Sequence, residues 1–316
     1  MKTRKYRLAA LFSVLWLLFT GCSGRMTETY DLNAARIRDD TVFLCNEIGI
    51  RVTGTEKEKE AADWIEKALR ENGFTEDEDL FRVEFDGAKG MASENLIAVC
   101  NKGSKGPLVS VVAHYDSVAT SPGARDNAAS VAALLEIARY LGTQNQSFPC
   151  EIRMVFLGSE ENGYYGSKAY VESLTEGEKE RHIGAFNMDI SAASDDEGAQ
   201  LVCNTLGMKT EGGYAEGNFI IPAEGKLIEA LRKAYRELYG RELGGVFHFG
   251  ESDHVRFHNE QLEAVNVCWR KVSGGMPVLP KSYHQMSDTP EELNYETVLA
   301  SAKCILRAIE ILAKAR

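Results

Sequence analysis

The chain has 316 residues, of which 44% are hydrophobic and seven are proline, so most of it can fold around a full-sized core and extensive disorder is excluded. Its formal net charge at pH 7 is -11. So acidic a surface argues against nucleic acid as a partner, because DNA and RNA attract basic surfaces.

Residues 1–21 have the composition of an export signal. A basic stretch, MKTRKYR, precedes an apolar run of a dozen residues, LAALFSVLWLLF, which is too short to cross a bilayer comfortably. The following TGCSG resembles a bacterial lipobox, in which Cys22 is lipidated and becomes the mature N-terminus. Phe19 is bulkier than the usual residue at its position, so ordinary signal cleavage stays an alternative. We therefore expect an exported protein that meets the cell membrane only through a lipid anchor at Cys22.

Residues 22–32 are predicted to form a tether and residues 33–316 a single folded domain, in which helical and extended patterns alternate. The predicted helices are LNAARIRDDTVFLCNEIG, TEKEKEAADWIEKALRENGF ending at Gly73, DNAASVAALLEIARYL, YGSKAYVESL, EGKLIEALRKAYRELYG and a last helix from about Glu291 to Lys314. The predicted strands are ENLIAVC, PLVSVVAHYD, EIRMVFLG, HIGAFNMDI and LEAVNVC. This alternation indicates an α/β fold, a three-layer α/β/α sandwich with a central mixed, mostly parallel sheet.

Six cysteines follow Cys22, and an even number in an exported protein permits disulfides. Several of them end apolar runs, LIAVC, AQLVC and AVNVC, that are typical of buried strands. A thiol in such a place behaves as a small hydrophobic group, so we expect buried free thiols.

Polar residues follow three predicted strands at the point where each strand ends. VVAHYD supplies His114 and Asp116, MVFLGSEE supplies Glu160 and Glu161, and AFNMD supplies Asp189. Sites in open α/β sheets form at the carboxyl ends of the strands, so these side chains are expected to converge at one edge.

Two further candidates lie in loops, Asp126 in GARDNAAS and His284 in SYHQMSD. So many carboxylates in one place would repel each other unless cations lay between them. Histidine and carboxylate ligands suit zinc, and two metal ions can share a bridging carboxylate. Because adjacent side chains at a strand end point in different directions, one of Glu160 and Glu161 can bind metal while the other acts as a general base.

Taken singly, these residues also have structural interpretations. Asp126 could cap a helix, His114 could be a buried histidine paired with Asp116, and Tyr283 could serve only in packing. A competing cluster, His248, His254 and His258, lies in HFGESDHVRFH; we interpret this run as the wall of a substrate cleft rather than as a metal site.

The ordered set of motifs resembles the co-catalytic di-zinc aminopeptidases. It comprises HYD, GARDNAAS with Asp126 twelve residues after His114, the EE pair, NMD with Asp189 twenty-eight residues after Glu161, and the pair Tyr283–His284. The family includes secreted bacterial leucine-type aminopeptidases, aminopeptidase Y and, as divergent members, glutaminyl cyclases. The resemblance covers roughly residues 35–314, and ESDHVRF is similar to another recurring segment of these enzymes.

The resemblance implies two zinc ions per chain. His114 and Asp189 would bind one ion, Glu161 and His284 the other, and Asp126 would bridge them. It also implies a cis peptide bond between Asp126 and the following Asn127.

The resemblance further implies three supporting roles. Glu160 would be the general base that acts on a metal-bridging hydroxide or water. Asp116 would accept a hydrogen bond from the ring of His114, and the hydroxyl of Tyr283 would stabilise the oxyanion. Arg125 departs from the family pattern, in which Asn or Thr usually precedes the bridging aspartate.

The function so implied is that of an exopeptidase that removes N-terminal residues from peptides with a free N-terminus. One alternative is a glutaminyl-peptide cyclotransferase, which uses a single zinc, and another is a binding lipoprotein without catalysis. Related co-catalytic carboxypeptidases carry a large insert before the last histidine, for which the separation of 95 positions between Asp189 and His284 leaves too little room.

Overall fold

A computed structural model describes residues 30–75, 77, 79–143, 148, 150–195, 198–205, 225–248 and 252–315. The predicted signal peptide, Cys22 and the tether as far as residue 29 lie outside the described residues. Tyr30 and Leu32, at the end of the predicted tether, are buried in the main hydrophobic core. In the described ranges, every helix is too short or too polar to cross a membrane.

One sheet contains the nine strands of the described residues, in the order β1-β2-β4-β3-β5-β8-β6-β7, with β9 paired to β8. The strands are β1 Leu80–Asp86, β2 Ala92–Cys100, β3 Leu108–His114, β4 Glu151–Leu157, β5 His182–Met188, β6 Gln200–Asn204, β7 Gly245–Phe247, β8 Ala264–Ser273 and β9 Met276–Val278. The four central strands β4, β3, β5 and β8 run parallel, whereas β1, β2 and β6 pair antiparallel to their inner neighbours. The predicted mixed sheet is therefore confirmed, with its parallel part in the centre.

Helices cover both faces of this sheet. They are α1 Ala34–Val42, α2 Glu56–Glu71, α3 Ala129–Thr143, α4 Tyr165–Ser173, α5 Glu176–Arg181, α6 Lys226–Tyr239, α7 His254–Asn259 and α8 Tyr295–Lys314. A π-helical segment, Phe43–Ile48, continues α1, a 3-10 turn lies at Pro290–Glu292, and Ala88–Gly90 forms a turn in which Lys89 has a positive φ.

Alternate residues of the strands enter two separate hydrophobic clusters. From β3, Val109 and Val111 join the main cluster with α1, α2, α3, α6 and α8, whereas Val112 joins a smaller cluster with Tyr170 of α4 and Phe257 of α7. Side chains that alternate along a strand point to opposite faces, so β3 is buried on both. The predicted three layers are confirmed.

The structure adds elements that the sequence patterns did not reveal. β1 precedes the first predicted strand and pairs with it from Leu80 opposite Ala98 to Asp86 opposite Ala92. β7 and β9 have three residues each, and the six residues of α5 are too few for a clear helical period. All six described cysteines are free, five of them buried, as expected.

The parallel centre of the sheet determines where the polar strand ends meet. His114 at the end of β3 lies opposite Leu157 at the end of β4, and Met188 at the end of β5 lies opposite Val267. The segments that follow these strands therefore leave the same edge of the sheet, as expected for a site of this fold class.

Candidate metal centre

The five predicted metal ligands lie together at this edge of the sheet. His114 Nε2 is 3.3 Å from Asp126 Oδ1 and 3.8 Å from Asp189 Oδ1. His284 Nε2 is 3.3 Å from Asp126 Oδ2 and 3.2 Å from Glu161 Oε2. Asp126 thus directs one oxygen towards each of two groups of ligand atoms.

Three groups of potential ligand atoms, each within 4.8 Å of one another, occur among the described residues. The first is His114, Asp126 and Asp189, the second is Asp126, Glu161 and His284, and the third is His114, Glu160 and Glu161. Since Asp126 belongs to the first two groups, the arrangement has the form of two adjacent sites with one shared carboxylate.

The hydrogen bonding of the cluster is incomplete without a cation. Both ring nitrogens of His114, Nε2 of His284, Oε1 of Glu161 and Oδ1 of Asp189 are buried and have no hydrogen-bond partner among the described residues. Buried polar atoms are rarely left without a partner. Nε2 of each histidine and the two carboxylate oxygens are atoms that a metal ion would satisfy, whereas Nδ1 of His114 faces Asp116. Imidazole and carboxylate ligands fit zinc.

The carboxylate of Asp116 fixes the backbone of Glu160 and Glu161. Its Oδ1 accepts a hydrogen bond from the backbone N–H of Glu160 at 3.0 Å, and its Oδ2 accepts one from Glu161 at 3.1 Å. Thr53 donates its hydroxyl to Oδ2 at 2.9 Å. His114 Nδ1 lies 3.4 Å from Asp116 Oδ1, which is longer than an ordinary hydrogen bond. Asp116 therefore links the end of β3 to the turn after β4.

Asp126 lies in a tight turn, Ala124–Ala128, directly before α3, and the backbone at Asp126 and Asn127 is not helical. The carboxylate of Asp288 accepts hydrogen bonds from the backbone N–H groups of Arg125 at 2.9 Å and of Asp126 at 3.2 Å. Asn127 donates its side-chain amide to Met188 O at 2.8 Å. The Asp126–Asn127 peptide bond is cis, as the resemblance implied.

A second buried acid supports the turn after β4. Glu58, in the first turn of α2, accepts hydrogen bonds from Ser93 Oγ at 2.7 Å, Gly54 N at 2.6 Å and Ser159 N at 3.3 Å. Ser159 has a positive φ of 55°, so the chain bends sharply just before Glu160. Glu58 and Asp116 together fix this bend from two sides.

The electrostatics of the cluster reflect crowded acids in a buried place. Burial raises the pKa of Glu160 well above its usual range, and the charge of Asp253 adds to this effect. Burial also raises the pKa of Glu161 to about 7, against the opposite effect of the nearby His284 ring. For Asp126, burial raises the pKa, but the two nearby histidines outweigh this effect and hold the pKa below the usual value. Such mutual shifts are common at functional sites.

His284 and Tyr283 form the more open side of the centre. The two rings stack with centroids 3.8 Å apart and an interplanar angle of 19°. Asp126 and Glu161 raise the pKa of His284 to about 10. Burial and then the nearby carboxylates raise the pKa of Tyr283, so its hydroxyl stays protonated at neutral pH.

Sequence reasoning missed three acids near the centre. Glu58 lies in a stretch that we interpreted only as a helix start, and Asp288 follows His284 in a segment for which we used only the histidine. Asp253, in ESDHVRF, is fully buried, has no hydrogen-bond partner on either carboxylate oxygen among the described residues, and has a pKa raised to about 7 by burial. The only sequence feature that could have pointed to Asp253 is its place in ESDHVRF, the segment similar to one that recurs in the co-catalytic aminopeptidases.

The competing histidine cluster does not form a metal-binding group within the part of the chain that the structure describes. His254 and His258 do share the short helix α7, with ring centroids 6.2 Å apart. Nε2 of His258, however, is 2.9 Å from the backbone oxygen of Ala264, to which it can donate a hydrogen bond. Its role as the wall of a cleft stays a prediction.

The fold and the cluster are those of an α/β protein with a candidate two-metal centre. A profile of Peptidase family M28 matches residues 95–309. Aminopeptidase YwaD of Bacillus subtilis is 31% identical to this chain over 273 residues, 84% of this chain and 52% of that relative. The chain belongs to peptidase family M28, and it spans about half or less of the length of the curated relatives it matches.

Solved structures show the same fold. BSAP, a zinc aminopeptidase from Bacillus subtilis, superposes with a TM-score of 0.74 at 20% identity, over 89% of this chain and 95% of the other. A glutaminyl cyclase from Porphyromonas gingivalis superposes with a TM-score of 0.69 at 20% identity, over 89% of this chain and 99% of the other. Proteins of this fold therefore include both an aminopeptidase and a glutaminyl cyclase, the two kinds of enzyme named in the sequence analysis.

Proposed function

We propose that the chain is an exported, zinc-dependent aminopeptidase that hydrolyses the N-terminal residue from peptides, with two zinc ions in each chain. The observation that carries the proposal is the shared position of Asp126, whose two oxygens lie 3.3 Å from His114 Nε2 and 3.3 Å from His284 Nε2. Membership of a peptidase family and the resemblance to relatives described as aminopeptidases support it.

His114, Asp126 and Asp189 would hold one zinc ion, and Asp126, Glu161 and His284 the other. When bound, zinc supplies a Lewis acid that polarises the scissile carbonyl and lowers the pKa of water. The protein supplies fixed ligands, because Asp116 and Asp288 restrain the backbone on which Glu161 and Asp126 are carried.

Glu160 is the proposed general base. Its backbone is fixed by Asp116, and its raised pKa favours acceptance of a proton from the attacking water and its transfer to the leaving amine. Tyr283, protonated and stacked on His284, is the proposed donor to the oxyanion that develops on the peptide carbonyl.

The surplus of negative charge supports a substrate with a free α-amine. Glu160 and Asp253 lie close enough for the charge of Asp253 to raise the pKa of Glu160, and neither is among the proposed metal ligands. An α-ammonium group placed beside these two acids would favour their charged forms and pair with them, which supports a preference for unblocked peptides.

A panel of aminoacyl chromogenic substrates, each with an N-acetylated counterpart, tests the proposal. Free-amine substrates should be cleaved, acetylated ones should not, and chelation should abolish cleavage until zinc is restored. Cleavage of the acetylated substrates at equal rates would contradict the exopeptidase assignment.

The same preparation tests the glutaminyl cyclase alternative. Incubation with peptides that begin with glutamine should release free glutamine and should not form pyroglutamate. Cyclisation without hydrolysis would favour the cyclotransferase, and zinc binding without either reaction would favour a binding lipoprotein.

We further propose that residues 1–21 are removed on export, that Cys22 carries a lipid, and that residues 33–316, together with the buried Tyr30 and Leu32, form the catalytic domain. The support is the basic, apolar and small-residue order of TGCSG and the residues before it. A Cys22→Ser variant should move from the membrane fraction to the soluble exported fraction. An unchanged membrane fraction would contradict the lipid anchor.

A further inference from the structure

Arg51 lies completely inside the protein, and its guanidinium donates hydrogen bonds to backbone oxygens rather than to acids. Its side chain has 0% exposure, and no carboxylate pairs with it among the described residues. The five acceptors are Tyr115 O at 2.8 Å, Gly49 O at 2.8 Å, Pro122 O at 2.9 Å, Leu44 O at 3.2 Å and Gly123 O at 3.2 Å. Burying an arginine in this way is costly, so the geometry that it fixes must matter to the chain.

Three of these acceptors lie in the loop that joins two proposed metal ligands. Tyr115 directly follows His114, and Pro122 and Gly123 come shortly before Asp126. One guanidinium therefore holds both ends of the loop between the ligand at the end of β3 and the shared carboxylate. The loop itself has no regular secondary structure from residue 115 to residue 123 that could set this spacing.

Backbone contacts around Arg51 strengthen the same connection. The N–H of Arg51 donates to Ser117 Oγ at 3.0 Å, and the N–H of Ser117 donates to Arg51 O at 3.1 Å. At Gly123, where φ is +64°, an added Cβ would lie 2.9 Å from Ser117 Cβ and 3.1 Å from the guanidinium. The loop is thus packed directly on Arg51, without space for a side chain at Gly123.

We infer that Arg51 is a positioning residue that sets the separation of His114 and Asp126, and so the affinity for the zinc ion at His114, Asp126 and Asp189. The planar guanidinium has five N–H donors in a fixed arrangement, which a lysine ammonium with three donors cannot reproduce. The inference rests on the proposed two-zinc centre, since it concerns how tightly that centre holds metal.

Zinc titration of the metal-free full chain against a competing fluorescent chelator tests this role. Wild type should bind two zinc ions, and Arg51→Lys should bind one of them about 10 to 100 times more weakly, the usual effect of removing support from a metal ligand. Arg139→Lys is the matched control, because Arg139 pairs with Asp40 and Glu136 on α1 and α3, away from the centre. Its zinc affinities should equal those of wild type.

A purely structural role for Arg51 predicts a different result. In that case Arg51→Lys would lower the melting temperature of the metal-free chain and leave both zinc affinities at wild-type values, which would overturn the inference. If Arg51→Lys fails to fold, Ser117→Ala removes the Oγ acceptor of the Arg51 N–H and should weaken the same ion several-fold; unchanged affinity would again overturn it. A wild-type chain that binds no zinc would instead refute the proposed function together with this inference.

Discussion

Glu160 and Glu161 are neighbours in the chain but meet different partners. Glu161 Oε2 lies 3.2 Å from His284 Nε2. Apart from burial, the pKa of Glu160 is affected by the charges of His114, which lowers it, and Asp253, which raises it. The backbone N–H groups of both glutamates donate to the carboxylate of Asp116, which fixes the position of this backbone segment after β4. This difference supports separate roles, one as ligand and one as base.

Replacing the proposed base tests this separation. Glu160→Gln keeps the size of the side chain and removes its basicity, so turnover should fall at least about 100-fold. Zinc content per chain, measured by atomic absorption, should stay at the wild-type value. Glu172→Gln, at an exposed position of α4 paired with Lys168, is the control and should leave both quantities unchanged. Retained turnover in Glu160→Gln would refute the base.

Glu58 gives a residue-scale prediction about pH. Burial raises its pKa from 4.5 to about 7 in the folded chain. The folded chain therefore binds a proton that the unfolded chain has lost, so the stabilising contribution is complete below about pH 4.5 and disappears as the pH rises through 7. The difference corresponds to roughly 3 kcal/mol.

Urea denaturation at pH 4.5 and pH 8 measures this contribution. The free energy of unfolding of wild type, relative to Glu58→Gln, should decrease as the pH rises, because the glutamine does not titrate. Glu56→Gln, two residues earlier at an exposed position, should behave as wild type at both pH values. A wild-type curve parallel to that of Glu58→Gln would show that Glu58 does not titrate in this range.

The residues of the centre differ in how far the sequence reveals them. His114, Asp126, Glu160, Glu161 and Asp189 follow strands or open a helix, so local patterns were enough to predict that they converge. The groups that support them, Arg51, Glu58 and Asp288, act through contacts across the fold, and no local period predicts such contacts.

At the scale of elements, α4 lies so close to the segment after β4 that Gly166 has no space for a side chain. A Cβ added at Gly166 of α4 would lie 2.7 Å from Asn95 Oδ1 and 3.1 Å from Gly158 N. Asn95 bonds both glycines, donating to Gly166 O at 2.8 Å and accepting from Gly158 N at 3.2 Å. The two glycines therefore allow the helix to pack on the bend that carries the glutamates.

Substitution at this contact should separate the helix from the strand end. Gly166→Ala should destabilise the protein by about 1–3 kcal/mol, the usual cost of overpacking, and should also lower turnover because the bend moves. Gly177→Ala in α5 is the control, since nothing lies within 4 Å of an added Cβ there. In a helix that change should be neutral or stabilising by up to about 1 kcal/mol. Equal thermal stability of the two variants would contradict the close packing.

The elements themselves were predictable where burial gives a simple pattern. β3, β4 and β5 are nearly continuous apolar runs, as expected for parallel strands covered on both faces. β1 was missed because it is an edge strand with charged residues, and Arg82 pairs with Glu94 of β2 and with Asp63 and Glu66 of α2 rather than with the core. Its stabilising contacts come from neighbours that the sequence does not identify.

At the scale of the whole molecule, alternation of helices and strands was sufficient for the three layers, but not for the order of strands. β2 pairs with β4 rather than with β3, and β6 lies beyond β8. Such pairings depend on long-range register, which the residues of one strand do not encode alone. The parallel centre nevertheless places the ends of β3, β4 and β5 at one edge, and the candidate centre follows from that geometry.

Cations that neutralise this edge of the sheet would allow its carboxylates to lie so close together. The most direct test is the anomalous diffraction signal of the zinc-loaded crystalline protein, recorded above and below the zinc absorption edge. Two peaks are expected, one among His114, Asp126 and Asp189 and one among Asp126, Glu161 and His284. A single peak, or zinc bound elsewhere with this cluster empty, would contradict a two-zinc centre at this edge of the sheet.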